Sequence, residues 1–313
     1  MSAVEPRRAL RIGTRASALA TTQTGLIADR LVAETGTEVE IVTISTEGDR
    51  SAAPLTSFGG QGVFVGALRD ALLDGRIDVA VHSLKDLPTA AHPDLVVAAV
   101  PAREDPRDCV VARDGLTLGE LPQGARVGTG SPRRESQLNA LGLGVEVVAI
   151  RGNVDTRIAK VGSGEVDAVL LARAGMARLG RLDDVTETID PIQMLPAPGQ
   201  GALACECRAA DDATARILGV LDDRDTRAAV TAERSLLATL EAGCSAPVGA
   251  LAEIAWGDDG DELWLRAVVG DLSGTPTIRL SATGLPEQAA AVGERLAAEM
   301  LAEGADTLVS VAS

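Results

Sequence analysis

Tyrosine is absent, and the other aromatics number four: Phe58, Phe64, Trp256 and Trp264. Stacking platforms for single-stranded nucleic acid and aromatic cages for quaternary ammonium groups therefore lack raw material. Cysteine is scarce too. Cys109, Cys205, Cys207 and Cys244 are too few and too irregular in 313 residues for a disulfide framework. Cys205 and Cys207 are too close for a CxxC site, and two histidines leave little to hold a metal, so no metal site is expected. No apolar run approaches the roughly 20 residues that span a bilayer. Residues 1–17 carry arginines without the apolar core of a signal peptide. Basic residues are outnumbered 29 to 45, a formal charge of −16 that argues against broad attraction to nucleic acid or anionic lipid. Any anion site has to be local, and a cytosolic protein with neither nucleic-acid nor membrane partner is expected. Lysine has almost vanished: Lys85 and Lys160 stand among 27 arginines, at positions where an ammonium is not freely exchanged for a guanidinium.

What is present is a folded chain, 46% hydrophobic and 24% charged, long enough for two or three domains. Short apolar runs alternate with amphipathic stretches. Strands are predicted over 10–13, 38–43 and 77–82, with helices over 18–34 and 64–73 between them. After Pro101 the pattern restarts, with strands over 109–112, 125–128, 145–150 and 168–172 and helices over 132–141 and 154–161. A further strand over 201–207 follows a proline-marked crossing. The expectation is two α/β lobes forming a cleft, the first from residues 1–102 and 200–220, the second from 103–199. Residues 221–313 read as a small α+β domain: a helix over 227–241, three antiparallel strands and a terminal helix. The stretch 48–62, rich in small residues and without period, reads as a mobile surface loop or lid.

Ligands of open α/β sheets gather at the carboxyl ends of strands. Cations and hydroxyls recur there: Thr14, Arg15 and Ser17; Ser83 and Lys85; Thr129, Ser131, Arg133 and Arg134; Arg151, Asn153 and Arg157; Arg173 and Arg178. Ser131 as N-cap and Pro132 at the first helical position put two guanidinium groups in a first turn, where the helix end is already positive. An anionic ligand removes that conflict; solvated surface ion pairs are the alternative. With no GxxxxGK[ST] and no GxGxxG after the first strand, carboxylates suit the arginine forks better than a nucleotide phosphate. Several separate arginine sites suggest a polycarboxylate. Asp86, an acid beside Lys85, is able to bind a ligand N–H, exchange a proton or stabilise a cation; an Asp–Lys pair that merely shapes the loop is equally open. Cys244 follows Gly243 on a turn, which favours reaction, although an inert thiol leads on local pattern alone.

The segments RIGTRASALA (11–20), VAVHSLKDLPT (79–89), REDPRD (103–108), VGTGSPRR (127–134), IRGNVDTR (150–157), LPAPGQGALACE (195–206) and AGCSAPVG (242–249) together closely resemble the porphobilinogen deaminase (hydroxymethylbilane synthase) family, over nearly the whole chain. The resemblance implies two periplasmic-binding-protein-like lobes with mixed, mainly parallel sheets and a small C-terminal α+β domain. It implies a monomeric transferase of tetrapyrrole biosynthesis that joins four porphobilinogen molecules head to tail with release of ammonia. The growing polypyrrole chain would be built on a dipyrromethane cofactor in thioether linkage to Cys244. Asp86 matches the family's catalytic aspartate. Lys85, Thr129, Ser131, Arg133, Arg134 and Arg157 match cofactor-binding positions, and Arg15, Ser17, Arg151 and Arg178 substrate-binding ones. The chain departs from the pattern at Ser57 and Gln61, where many relatives carry loop lysines, and at Leu236 and Ala242. Solute-binding proteins also pair two α/β lobes around an anion, but the exported kind should have a signal peptide and needs neither Cys244 nor Asp86. A regulatory paralogue without activity is the third reading, and no missing catalytic residue supports it.

Overall fold

The computed structural model describes residues 8–44, 63–243, 246–257 and 260–310. The chain divides into two compact units, Met1–Arg103 with Ala202–Arg227, and Glu104–Gly201 with Ala228–Ser313.

In the first unit, β1 (Leu10–Arg15) leads into α1 (Ala18–Thr35) and β2 (Val39–Ile44), followed by α2 (Val63–Leu73), β3 (Val79–Ser83), a 3-10 turn over Leu84–Asp86, and β4 (Leu95–Ala99). The start of α1 is fixed by Ser17, whose hydroxyl accepts from the Ala20 amide; its end is fixed by Gly36, in the left-handed region at φ 65°. Gln23, Thr24, Ile27, Ala28 and Leu31 recur at helical spacing and form the buried face of α1.

The second unit opens with β5 (Asp108–Ala112), β6 (Arg126–Thr129), α3 (Pro132–Ala140), β7 (Glu146–Ala149), α4 (Val154–Gly162), β8 (Ala168–Ala172), α5 (Arg173–Arg178) and β9 (Glu187–Thr188). The chain then returns to the first unit with β10 (Leu203–Arg208) and α6 (Asp212–Gly219). After α7 (Arg224–Thr239) come β11 (Val248–Gly257), β12 (Gly260–Gly270), β13 (Thr277–Gly284), α8 (Ala289–Ala302) and α9 (Ala305–Ser310).

The two five-stranded sheets are built alike. The first runs β2-β1-β3-β10-β4 and the second β7-β6-β8-β5-β9. In each, three strands pair in parallel and the fourth position is an antiparallel strand, β10 or β5. This is the mixed, mainly parallel α/β architecture expected. Its apolar runs are buried on both faces: Val79 and Val81 pack with Ile27 and Leu31, and Ala80 with Leu68 and Leu72. The C-terminal strands form a separate antiparallel sheet, β11-β12-β13. Its core includes Leu236, Leu263, Leu265, Val292 and Leu296.

Three differences from the sequence reading have physical reasons. β1 runs on to Arg15 because Thr14 and Arg15 continue the ladder with Thr43 and Ile44, so Arg15 is the last strand residue and not a loop residue. The run Leu95–Ala99, to which the sequence reading assigns no element, is an edge strand paired to β10. The unassigned Asp212–Gly219 is α6, with Asp211 as its cap accepting from Thr214. The loop 48–62 lies outside the described residues.

Where α8 crosses α7 the contact is built on a missing side chain. A Cβ on Gly293 would sit 2.3 Å from the Ala232 carbonyl oxygen and 2.9 Å from the Leu236 amide nitrogen. Gly293→Ala forces the helices apart, and denaturant unfolding should show a loss of about 1–3 kcal/mol. A midpoint equal to the wild type's would show that the helices separate freely.

Candidate active site

In the first unit the carboxyl ends of the neighbouring strands β1 and β3 bring together residues far apart in sequence. Arg15 ends β1, Ser17 caps α1, and Ser83 ends β3 before the turn that carries Lys85 and Asp86. Arg15, Ser17, Gln23, His82, Ser83 and Asp86, with Leu19, Ala20, Val65, Leu68 and Val81, line one cavity of about 90 Å³. The exposed Asp86 carboxylate thus shares a small space with a guanidinium and two hydroxyls. Ser83 Oγ donates to Gln23 Oε1 at 3.2 Å. Of the residues predicted here, Arg15, Ser17 and Asp86 meet in the cavity; Lys85 is beside Asp86 on the turn and does not line it.

The wall of this cavity is charged in its interior. Glu206 of β10 accepts a fork from Arg69 of α2, and its Oε2 lies 3.2 Å from His82 Nε2. Burial alone would raise the Glu206 carboxyl, but hydrogen bonds from His82 and Arg69 bring it down to about 2. Sequence reasoning gave none of the three a role. The available signals were a histidine inside the apolar run VAVHS and a glutamate between the two cysteines of a buried strand.

The second unit resolves the arginine conflict at the start of α3 differently from the expectation. Arg133 and Arg134 are 4% and 5% exposed, and both turn onto Asp108, which is fully buried at the start of β5. Arg133 Nη1 donates to Asp108 Oδ2 and to the Leu195 carbonyl, both at 2.7 Å. Arg134 donates from Nη2 to Asp108 Oδ1 at 2.8 Å and from Nη1 to the Leu170 carbonyl at 2.9 Å. Gln200 Nε2 joins the same carboxylate at 2.8 Å. Burial works to raise the Asp108 carboxyl, and the two guanidiniums overcome it, holding it far below the usual range. Arg133 Nη1 is therefore tied to the protein frame, shared between Asp108 and a loop carbonyl. Sequence reasoning missed Asp108, for which the signal was an acid opening the apolar run DCVVA.

One carboxylate neutralises only one of two cations. Arg134 Nε is buried and has no hydrogen-bond partner among the described residues. Arg157 of α4 donates to the Gly152 carbonyl at 2.9 Å, and its guanidinium is lowered first by burial and then by the charge of Arg134. Two cations near enough to disfavour each other, one of them with an unpartnered buried donor, give this region the charge and the donor to accept an anion. Ser131 caps α3 by position, yet its hydroxyl makes no capping bond. Thr129 is buried, its hydroxyl accepting from the Ser131 amide at 3.2 Å. Arg178, half-buried, donates to the Gly201 carbonyl at 2.6 Å, and Arg151 is exposed. Lys160 pairs at the surface with Glu165 at 2.5 Å and contributes to no site. Cys244 lies outside the described residues, as do Ser57 and Gln61. Cys109, Cys205 and Cys207 are buried free thiols pushed up to about 12, 12 and 11, chiefly by burial. No group of metal-ligating side chains occurs among the described residues, and no described helix is long and apolar enough to cross a membrane.

The family described as "Porphobilinogen deaminase, dipyromethane cofactor binding domain" matches residues 10–216, and "Porphobilinogen deaminase, C-terminal domain" matches residues 227–302. Porphobilinogen deaminase of Mycobacterium avium (strain 104) is 60% identical over 306 residues, covering 96% of this chain and 96% of its own. That of Mycobacterium bovis (strain BCG / Pasteur 1173P2) is 61% identical over 305 residues, covering 96% and 98%. Among solved structures, a periplasmic substrate-binding protein of an ABC transporter from Coxiella burnetii aligns over 68% of this chain and 91% of its own, at TM-score 0.43 and 15% identity. With two family domains matched in order and sequence identity of this level along almost its full length, the chain belongs to the porphobilinogen deaminase family.

Proposed function

We infer that this chain runs its family's reaction, joining four porphobilinogen molecules into hydroxymethylbilane with loss of ammonia at each addition, through the Asp86 cavity of its first unit. The observation that carries the assignment is that cavity, where one carboxylate meets Arg15 and Ser17. A cation arises on porphobilinogen when the C–N bond of its aminomethyl group breaks. A carboxylate beside it stabilises that charge and accepts hydrogen bonds from pyrrole N–H groups, whereas the surrounding arginines alone would oppose it. Arg15 takes a carboxylate of the substrate. Ser17 Oγ accepts from Ala20, which leaves its O–H to donate.

The family's dipyrromethane cofactor supplies, when bound, the primer from which the pyrrole chain grows. The residues of the second unit fit such a polycarboxylate, because the Asp108 cluster holds more positive charge than it neutralises and leaves Arg134 Nε without a partner. Arg134 and Arg157 would take its carboxylates, Ser131 and Thr129 would add hydroxyls, and Lys85 would contribute an ammonium. Cys244 would hold the cofactor through its sulfur. Arg151 and Arg178 are assigned to carboxylates of the substrate chain. The same reading makes the enzyme a cytoplasmic monomer.

Mass spectrometry on freshly purified protein tests the assignment. The intact mass should exceed the chain mass by one dipyrromethane, and peptide mapping should place the increment on the peptide holding Cys244. Porphobilinogen turnover by protein of bare chain mass would overturn the assignment.

A further inference from the structure

The Arg69–Glu206–His82 cluster is not used by the reaction as described above. Glu206 is 2% exposed and already forked to Arg69, so its charge has a partner without an imidazole. Buried ion pairs are weak stabilisers compared with apolar packing, so stability alone does not account for a third charged group. What the third group adds is orientation: His82 is held on one side by Glu206 and forms part of the cavity lining on the other.

We propose that His82 is a second proton-holding residue of the reaction and that Glu206 is its positioning residue. An ionised carboxylate only accepts, so Nε2 of His82 carries the hydrogen facing Glu206, and in the neutral ring Nδ1 is left as an acceptor. The reaction supplies the need for one. In each addition the C–N bond of a protonated porphobilinogen aminomethyl group (–CH2–NH3+) breaks and its electron pair leaves on nitrogen as ammonia. A C–C bond forms at a pyrrole carbon, whose C–H electron pair returns to the ring as the proton departs. That proton ends on ammonia as ammonium and has to be held in between. Of the titratable side chains lining the cavity, Arg15, His82 and Asp86, imidazole is the type that changes charge near neutral pH. The charged groups bearing on the ring are Glu206 from β10, Arg69 of α2 behind it, Arg15 from β1 and Asp86 from the turn after β3. Glu206 and Arg69 carry opposite charges, so neutralising one or the other changes the field at the ring in opposite senses.

The inference rests on the Asp86 cavity being the reacting site, and its test is read at a different atom. The chain has two histidines, His82 and His92, so ¹⁵N-labelled histidine in the cofactor-loaded enzyme gives two ring systems. The His82 ring should titrate from imidazolium to the Nε2–H tautomer. Glu206→Gln should move that titration down by about one pH unit, and Arg69→Gln, which leaves Glu206 to act alone, should move it up. His92 should stay put in both. In turnover, Glu206→Gln should lower kcat about tenfold with KM within about twofold, and carry the acid limb of kcat down with the ring titration. A structural role would let the ring and the stability change in both variants while the acid limb of kcat stayed in place. An Nδ1–H tautomer at His82, or an acid limb unmoved in both variants, overturns the inference. Failure of the Asp86 reading would show separately, as unchanged turnover of Asp86→Asn.

Discussion

Asp86→Asn is expected to load the cofactor normally and to lose at least about a hundredfold in kcat. A carboxamide and a carboxylate have nearly the same shape, so the 3-10 turn over Leu84–Asp86 and its backbone bond from Leu87 to Leu84 persist. What disappears is a full negative charge in a cavity whose other charged lining residues are Arg15 and, when protonated, His82. The positive charge formed when ammonia leaves would then face cations without a counter-charge. Intact mass separates the two functions: the dipyrromethane increment stays while steady-state turnover collapses. KM should change much less than kcat, because the charge Asp86 opposes develops in the transition state and is not yet formed on bound substrate. Near-normal kcat in a variant of normal mass would remove Asp86 from the chemistry and return it to the reading in which the acid only shapes its loop.

Much of this site was legible in the sequence for a definite reason. Arg15, Ser17 and Asp86 follow short apolar runs, and the parallel α/β pattern predicts that such positions share one edge of a sheet, which the pairing of β1 with β3 delivers. The αL glycines and N-cap hydroxyls that bound α1 are similarly local, so its limits could be read within a residue. The buried partners were not legible. Glu206 reaches His82 across 124 positions and Asp108 reaches Arg134 across 26, and nothing in local periodicity links them. The arginines in the first turn of α3 illustrate the difference. The electrostatic conflict was correctly identified from Ser131-Pro132-Arg133-Arg134, but half of its resolution is a protein carboxylate on another strand. The charge that Asp108 leaves unneutralised, with Arg157 near it, is what the proposed ligand would meet. Strand β4 was missed for a related reason: as an edge strand its pattern is only partly buried, and its pairing with β10 is supplied by a segment more than 100 residues later.

The same cluster gives the largest expected effect on stability. In Asp108→Asn the shape is kept and the charge removed, leaving Arg133 and Arg134 buried side by side with carbonyl partners and no counter-ion. Breaking a buried ion pair from one side typically costs about 3–5 kcal/mol, and here two cations lose the same anion, so urea unfolding at pH 7 should show a loss at the upper end of that range. The pH dependence distinguishes this cause from simple misfit. In the folded protein the Asp108 carboxyl is held far below its unfolded value by the two guanidiniums, in spite of burial. A group depressed on folding contributes its full stability above its unfolded pKa of about 4 and loses it as pH falls through the folded value. The gap between wild type and Asp108→Asn should therefore be constant from pH 7 to about pH 5 and shrink progressively below about pH 4. A gap that stayed the same down to pH 3 would mean that the variant suffers from packing and not from lost charge. Cofactor loading should fall with stability, since Arg134 reaches its position through Asp108. A variant that unfolds early yet carries the full dipyrromethane increment would show that the frame and the cofactor site are independent.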